Sequence, residues 1–157
     1  MLANNQIMRT QNSLHSANST DIPVIDELVK KYSCKLEAFI EEGHENNSVT
    51  RACQFIRNNF NQPISVAHVS RVSNLSVSRL AYLFKRETGM SPMQLRNALR
   101  ISQACQLLIS SSTRISVIAE KVGYADQLYF SRVFKGKVGC APSKYRKAHR
   151  QCSGARY

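Results

Sequence analysis

The sequence has no CxxC pair, no long run of apolar residues, and only three acidic side chains beyond position 50. Its five cysteines, Cys34, Cys53, Cys105, Cys140 and Cys152, are odd in number and widely spaced. That pattern argues against a disulfide framework or a zinc site, and for reduced thiols of a cytosolic protein, several of them small core fillers. No stretch approaches the ~18 apolar residues needed to cross a bilayer, so no membrane span is expected. The segment from Met1 to Thr20 is polar and rich in Asn and Ser, unlike a signal peptide. His15, His44 and His149 have no partners at metal-ligand spacing, and His68 reads as a surface residue, so neither metal nor cofactor is expected. An enzyme reading finds no nucleophile, base and orienting group together. An alkyl-transfer repair protein, for example, needs a zinc-held cysteine cluster that these scattered thiols do not supply.

The scarcity of acid is local. Residues 1–50 carry four basic and seven acidic side chains, net −3; residues 51–157 carry eighteen basic and three acidic ones (Glu87, Glu120, Asp126), net +15. A basic domain joined to a mildly acidic segment points to a polyanionic partner.

Residues 1–20 show no periodicity and read as a disordered tail. In residues 22–42, Ile22, Ile25, Val29, Tyr32, Leu36 and Phe39 are spaced 3, 4, 3, 4, 3. This is an amphipathic helix over 21–43, with Asp21 placed to cap it and Gly43 to end it. A helix of this length is marginal alone, so its stripe needs a partner: a second copy, giving a homodimer, or the chain's own domain. Glu45 to Asn47 form a polar linker. A helix then fits Ser48 to Phe60, with Val49, Cys53, Ile56 and Phe60 on one face, and Pro63 punctuates its end. From there to Tyr145 no strand pattern occurs and Gly and Pro fall mainly at turns, so the fold class is all-α. Residues 151–157 read as a basic tail.

Within 48–150 lies a degenerate repeat. Its copies are VAHVSRVSNLSVSRLAYLFKRETG (66–89) and VIAEKVGYADQLYFSRVFKGKVG (117–139). Val69-Ser70 matches Ile118-Ala119 at an offset of 49, whereas Leu80, Phe84, Lys85 and Gly89 match Phe130, Phe134, Lys135 and Gly139 at 50. The second copy therefore has one extra turn residue. Each copy reads as a helix-turn-helix. Ser70 or Ala119 allows close helix approach. Asn74 or Gly123 suits a left-handed helix stop. Leu75 or Tyr124 points back into the core. Ser76 caps the second helix in the first copy. In the second copy Ala125 or Asp126 does so, Asp126 being the better acceptor. The second helices bury Leu80, Leu83 and Phe84, or Phe130, Val133 and Phe134, leaving their other faces for solvent or DNA. A tandem of such units on a strongly basic segment points to two recognition helices. Between them Ser91-Pro92 starts a helix to about Ile109, with Leu95, Leu99, Ala104, Leu107 and Leu108 on its apolar side. A rod of roughly 27 Å holds two recognition helices about one DNA turn apart, on successive major grooves.

Three stretches, RISQACQLL (100–108), GYADQLYFSRVFK (123–135) and APSKYR (141–146), resemble the signature of the AraC/XylS family of bacterial transcription regulators, and RACQFI (51–56) extends the likeness upstream. The resemblance covers roughly residues 49–146. It implies a seven-helix fold of two subdomains, control of transcription at a promoter, and contact with RNA polymerase in activators. It carries base-reading roles to Ser78 and Tyr82 in the first recognition helix and to Asp126 and Gln127 in the second, with Tyr129 and Arg132 nearby. Ala81 stands where some relatives are polar, so a contact there is expected to be missing. Ala125 replaces a more usual capping residue. Ser73 stands where an apolar residue is common, which is expected to weaken the first subdomain. The 22–42 helix resembles the last helix of a dimerising sensor domain whose remainder is absent, so ligand sensing is not expected.

From residue chemistry alone, Arg79, Arg86, Arg132 and Lys135 suit phosphates or bases, and Gln127 suits adenine. Tyr82 either packs in the core or enters the groove. Lys144, Arg146, Lys147 and Arg150 suit diffuse attraction to the DNA backbone. The reading is a cytoplasmic, nucleoid-associated, sequence-specific binder of double-stranded DNA. The alternative is a sensor-less co-regulator that sequesters a full-length relative through residues 22–42.

Overall fold

The computed structural model describes residues 48–152; the 1–20 tail and the 22–42 helix lie outside the described residues, as does the chain beyond Cys152. Seven helices and no strand occur among the described residues: α1 (Ser48–Asn59), α2 (Val66–Val72), α3 (Val77–Thr88), α4 (Pro92–Ser110), α5 (Ile115–Lys121), α6 (Gln127–Val138) and α7 (Pro142–Cys152). The all-α, seven-helix expectation is met, with α1 ending one residue before Phe60 and α4 one residue beyond Ile109.

Local chemistry sets most of the boundaries. Ser65 and Ser91 each accept from the backbone three residues on, and His68 and Gln94 answer them, closing two capping boxes. Ser76 caps α3 through the Arg79 N–H. Asn74 (φ 55°) and Gly123 (φ 90°) end α2 and α5 in left-handed turns, and Gly89 and Gly139 end α3 and α6 in the same way. At Asn74 and Gly123 the chain reverses within a few residues, so the following Leu75 and Tyr124 amides bond back to the Ser70 and Ala119 carbonyls.

Two cores form, and α4 belongs to both. The first gathers Val49, Ala52, Cys53 and Ile56 of α1 with Ile64, Val69, Leu80, Phe84 and Leu95. The second gathers Ile101, Ala104, Cys105 and Leu108 of α4 with Ile118, Ala119, Val122, Tyr124, Phe130, Phe134, Val138 and Tyr145. They differ in kind. Most of the first is aliphatic, whereas the second is threaded by aromatic rings: Tyr124 to Phe130 at 5.4 Å, Phe130 to Phe134 at 5.6 Å, and Phe134 edge-on to Tyr145 at 5.6 Å.

Ser73 lies in the first subdomain with its polar group satisfied. It is fully buried, yet its hydroxyl donates to the Val69 and Ser70 carbonyls, so the buried oxygen is satisfied within its own helix turn and no penalty of an unpaired group arises. Arg146 serves the fold as well: its guanidinium donates to the Thr113 carbonyl, tying α7 to the loop before α5.

Burial pushes the Cys53 thiol up from its ordinary 9.0 to about 12, with the negative Glu87 adding to the effect. The neutral thiol is thus favoured by folding. Its contribution to stability is complete below pH ~9 and is lost as pH climbs towards 12. Cys53 is accordingly expected to resist iodoacetamide at pH 8 in the native protein and to react fully in denaturant. Peptide mass analysis showing equal labelling in both states would contradict this placement.

Candidate nucleic-acid interface

The second helix of each repeat has one face in a core and one in solvent, and the division follows helical spacing. In α3, Leu80 and Phe84 are buried and Leu83 is half-buried. The opposite face carries Val77, Ser78, Arg79, Ala81, Tyr82, Lys85 and Arg86, all exposed. In α6, Phe130, Phe134 and Val138 are buried, and the exposed face carries Gln127, Leu128, Tyr129, Arg132 and Lys135. All nine side chains singled out from the sequence (Ser78, Arg79, Tyr82, Arg86, Asp126, Gln127, Tyr129, Arg132 and Lys135) are solvent-exposed, in two groups on or at the start of these two helices.

Tyr82 resolves in favour of the surface, being 60% exposed. Arg79 one turn before it and Arg86 one turn after it bring their guanidinium groups within 5.8 and 5.7 Å of its ring centroid. The aromatic face thereby gathers two cations on the outer side of α3. Arg86 also lies 3.4 Å from Glu87, an exposed contact of little energetic weight.

Asp126 has a defined structural duty. Its Oδ1 accepts from the Tyr129 N–H at 2.6 Å, and α6 begins at the next residue. This settles the start of α6: Asp126 caps it and Ala125 lies outside. The carboxylate assigned to base reading is engaged at the helix end. Asp126→Ala is expected to lower stability by about 1 kcal/mol, within a range of roughly 0.5–2, while Asp126→Asn keeps an acceptor and stays within a few tenths. Urea titrations of the three proteins check this; an alanine variant as stable as its parent would mean that the cap carries no weight.

Sequence reasoning passed over two apolar members of these faces. Leu128, on the second residue of α6, is 69% exposed, and Val77, on the first residue of α3, is 48% exposed. Their signal is the repeat itself: offset 50 sets Val77 against Gln127 and Ser78 against Leu128, so apolar side chains occupy positions where the other copy is polar. Such groups suit the thymine methyl of a major groove.

Sequence reasoning also missed the arginines that serve the fold. Arg96 donates to the Ile64 carbonyl at 2.6 Å, and Arg51 to the Ser73 carbonyl at 3.4 Å. Arg100 is 4% exposed and donates to the Phe60 and Gln62 carbonyls. Burial pushes its pKa down, with the neighbouring Arg96 charge adding to that, while burial pushes the Tyr124 phenol beside it up. No group of three or more His, Cys, Asp or Glu side chains that could hold a metal occurs among the described residues.

With this geometry in place, comparison with known proteins is specific. A helix-turn-helix domain family matches residues 69–148. The arabinose operon regulatory protein of Escherichia coli K12 is 40% identical over 115 residues, covering 71% of this chain and 39% of the relative. The lactose operon transcription activator of Staphylococcus xylosus is 34% identical over 145 residues, 89% of this chain and 52% of the relative. The chain thus spans about half or less of the length of these relatives. Among solved structures, the C-terminal domain of AraT, a response regulator from Geobacillus stearothermophilus, superposes with a TM-score of 0.61 at 38% identity, covering 64% of this chain and 84% of that one. With its paired helix-turn-helix units, its shared central helix and these relatives, the chain belongs to the AraC/XylS family of helix-turn-helix transcription regulators.

Proposed function

We propose that the domain binds double-stranded promoter DNA by sequence, setting α3 and α6 into two successive major grooves. The observation that carries this reading is the exposure of every candidate contact residue on two helix faces joined by α4. At 19 residues α4 is a rod of about 28 Å, comparable to the roughly 34 Å of one DNA turn. Gln127 suits the N6 and N7 edge of adenine, Arg79 and Arg132 suit guanine or phosphate, and Leu128 and Val77 suit thymine methyls. Lys135 and Lys147 lie where a phosphate field suffices. On this reading the chain acts in the cytoplasm on the nucleoid and touches RNA polymerase as an activator, in keeping with the named role of the S. xylosus relative. Residues 22–42 would supply a homodimer contact.

Selection from random duplexes, followed by base-protection mapping, tests it. Two protected major-groove patches about 10–10.5 base pairs apart on one face of the duplex are expected. One patch only, or protection without sequence preference, would refute the two-groove reading.

A further inference from the structure

The central helix changes partners at one residue. Up to Leu99 its apolar side chains pack in the first core; from Ile101 onward they pack in the second. Arg100 stands between them and reaches both ways. Its Nε donates to the Phe60 carbonyl at 2.6 Å and its Nη2 to the Gln62 carbonyl at 3.1 Å, both in the segment that leaves α1. The same guanidinium lies 5.1 Å from the ring centroid of Tyr124, a member of the second core. Gly123 completes the joint: a Cβ there would stand 2.6 Å from Arg100 Nη2 and closer still to the Asn61 carbonyl. The turn of the second helix-turn-helix unit therefore packs directly on the α1–α2 loop of the first.

A guanidinium suits this place because it can serve as a forked donor and as a cation beside an aromatic ring at once. The N–H fork meets two carbonyls, while the delocalised cation stands over an aromatic ring. Lysine matches the charge and part of the length but not both contacts. The joint also has leverage. A bend of about 10° at the middle of a rod about 28 Å long moves one end by roughly 2 Å relative to the other half, which is enough to break a hydrogen bond to a base edge.

We propose that Arg100 is a positioning residue that clamps the 60–62 segment to the Gly123–Tyr124 turn and thereby fixes the spacing and relative rotation of α3 and α6, so that the chain selects duplexes by the distance between their two recognition boxes. The spacing claim rests on the two-groove reading; the clamp itself does not.

Two measurements on the full chain separate these. In the free protein, residual dipolar couplings of α3 and α6 amides are expected to fit one alignment tensor, and to require two in Arg100→Met. Two tensors in the parent would overturn the clamp, and this arm uses no DNA. On the duplex recovered by selection, inserting one base pair between the boxes is expected to weaken the parent by at least about 30-fold, the equivalent of one or two lost base-pair contacts. In Arg100→Met the same insertion is expected to cost less than about fivefold. A folded Arg100→Met protein that keeps the full insertion penalty overturns the proposal. Should that variant fail to fold, Arg100→Lys, which lacks the fork, is judged by the same two outcomes.

Discussion

Phe134→Ala is expected to lower the stability of the domain by about 3–5 kcal/mol, the range for emptying a large aromatic site in a packed interior. Phe134 is wholly buried and stands between Phe130 and Tyr145, with ring centroids 5.6 Å away on each side. Its removal takes away transfer free energy and breaks the aromatic chain in two places, each contact contributing about 0.5–1.5 kcal/mol beyond area alone. Domains of this size have about 5–15 kcal/mol in total, so the loss is a large share, and it falls on the helix that carries Gln127, Leu128 and Arg132. Urea unfolding followed by circular dichroism measures it. A loss below about 1.5 kcal/mol would mean that the second core collapses to fill the space. Phe134→Leu, which retains much of the volume, should fall well short of the alanine value.

The next largest effect expected is on recognition. Gln127→Ala should lose about 1–3 kcal/mol on the selected duplex and much less on a scrambled one, relaxing preference at one base pair. Gln127 is the first residue of α6, exposed and just past the Asp126 cap, where a side chain can reach a base edge. Lys147 offers the contrast, being exposed on α7, beyond the second helix-turn-helix unit. Lys147→Ala should weaken both duplexes alike and make the dependence of log affinity on log salt shallower by at most about one unit. Titrations at several salt concentrations distinguish the two behaviours. If Gln127→Ala weakens both duplexes equally, α6 positions the protein without reading it, and discrimination would have to reside in α3 at Ser78 and Tyr82.

Most of the architecture was legible from local signals, because the relevant interactions are local. A serine three residues before the amide it caps, an asparagine or glycine at a helix stop, and apolar residues at helical spacing all act within a few positions of themselves. The exposed faces of α3 and α6 followed from the same periodicity. What stayed hidden was long-range and polar. Arg100 bonds carbonyls 38 and 40 residues away, and Arg96 and Arg146 reach over 32 and 33. In a tally of charge these side chains count towards attraction to a polyanion, and nothing in their spacing marks them as ties between segments. The partners of Ser73 are local but equally silent in the sequence: a polar residue at a core position does not announce the Val69 and Ser70 carbonyls that take its proton.

The two copies of the repeat keep the same buried framework and differ on the outside, with Val77, Ser78, Arg79 and Tyr82 facing Gln127, Leu128, Tyr129 and Arg132 at equivalent positions. A reader with unlike ends cannot match a palindrome within its own footprint. If α3 and α6 each read a box, as proposed above, the two boxes differ in sequence and one chain on one site has a direction. On that reading, the order in which the two boxes are written would set which end of the protein faces the start of transcription, without help from a second subunit.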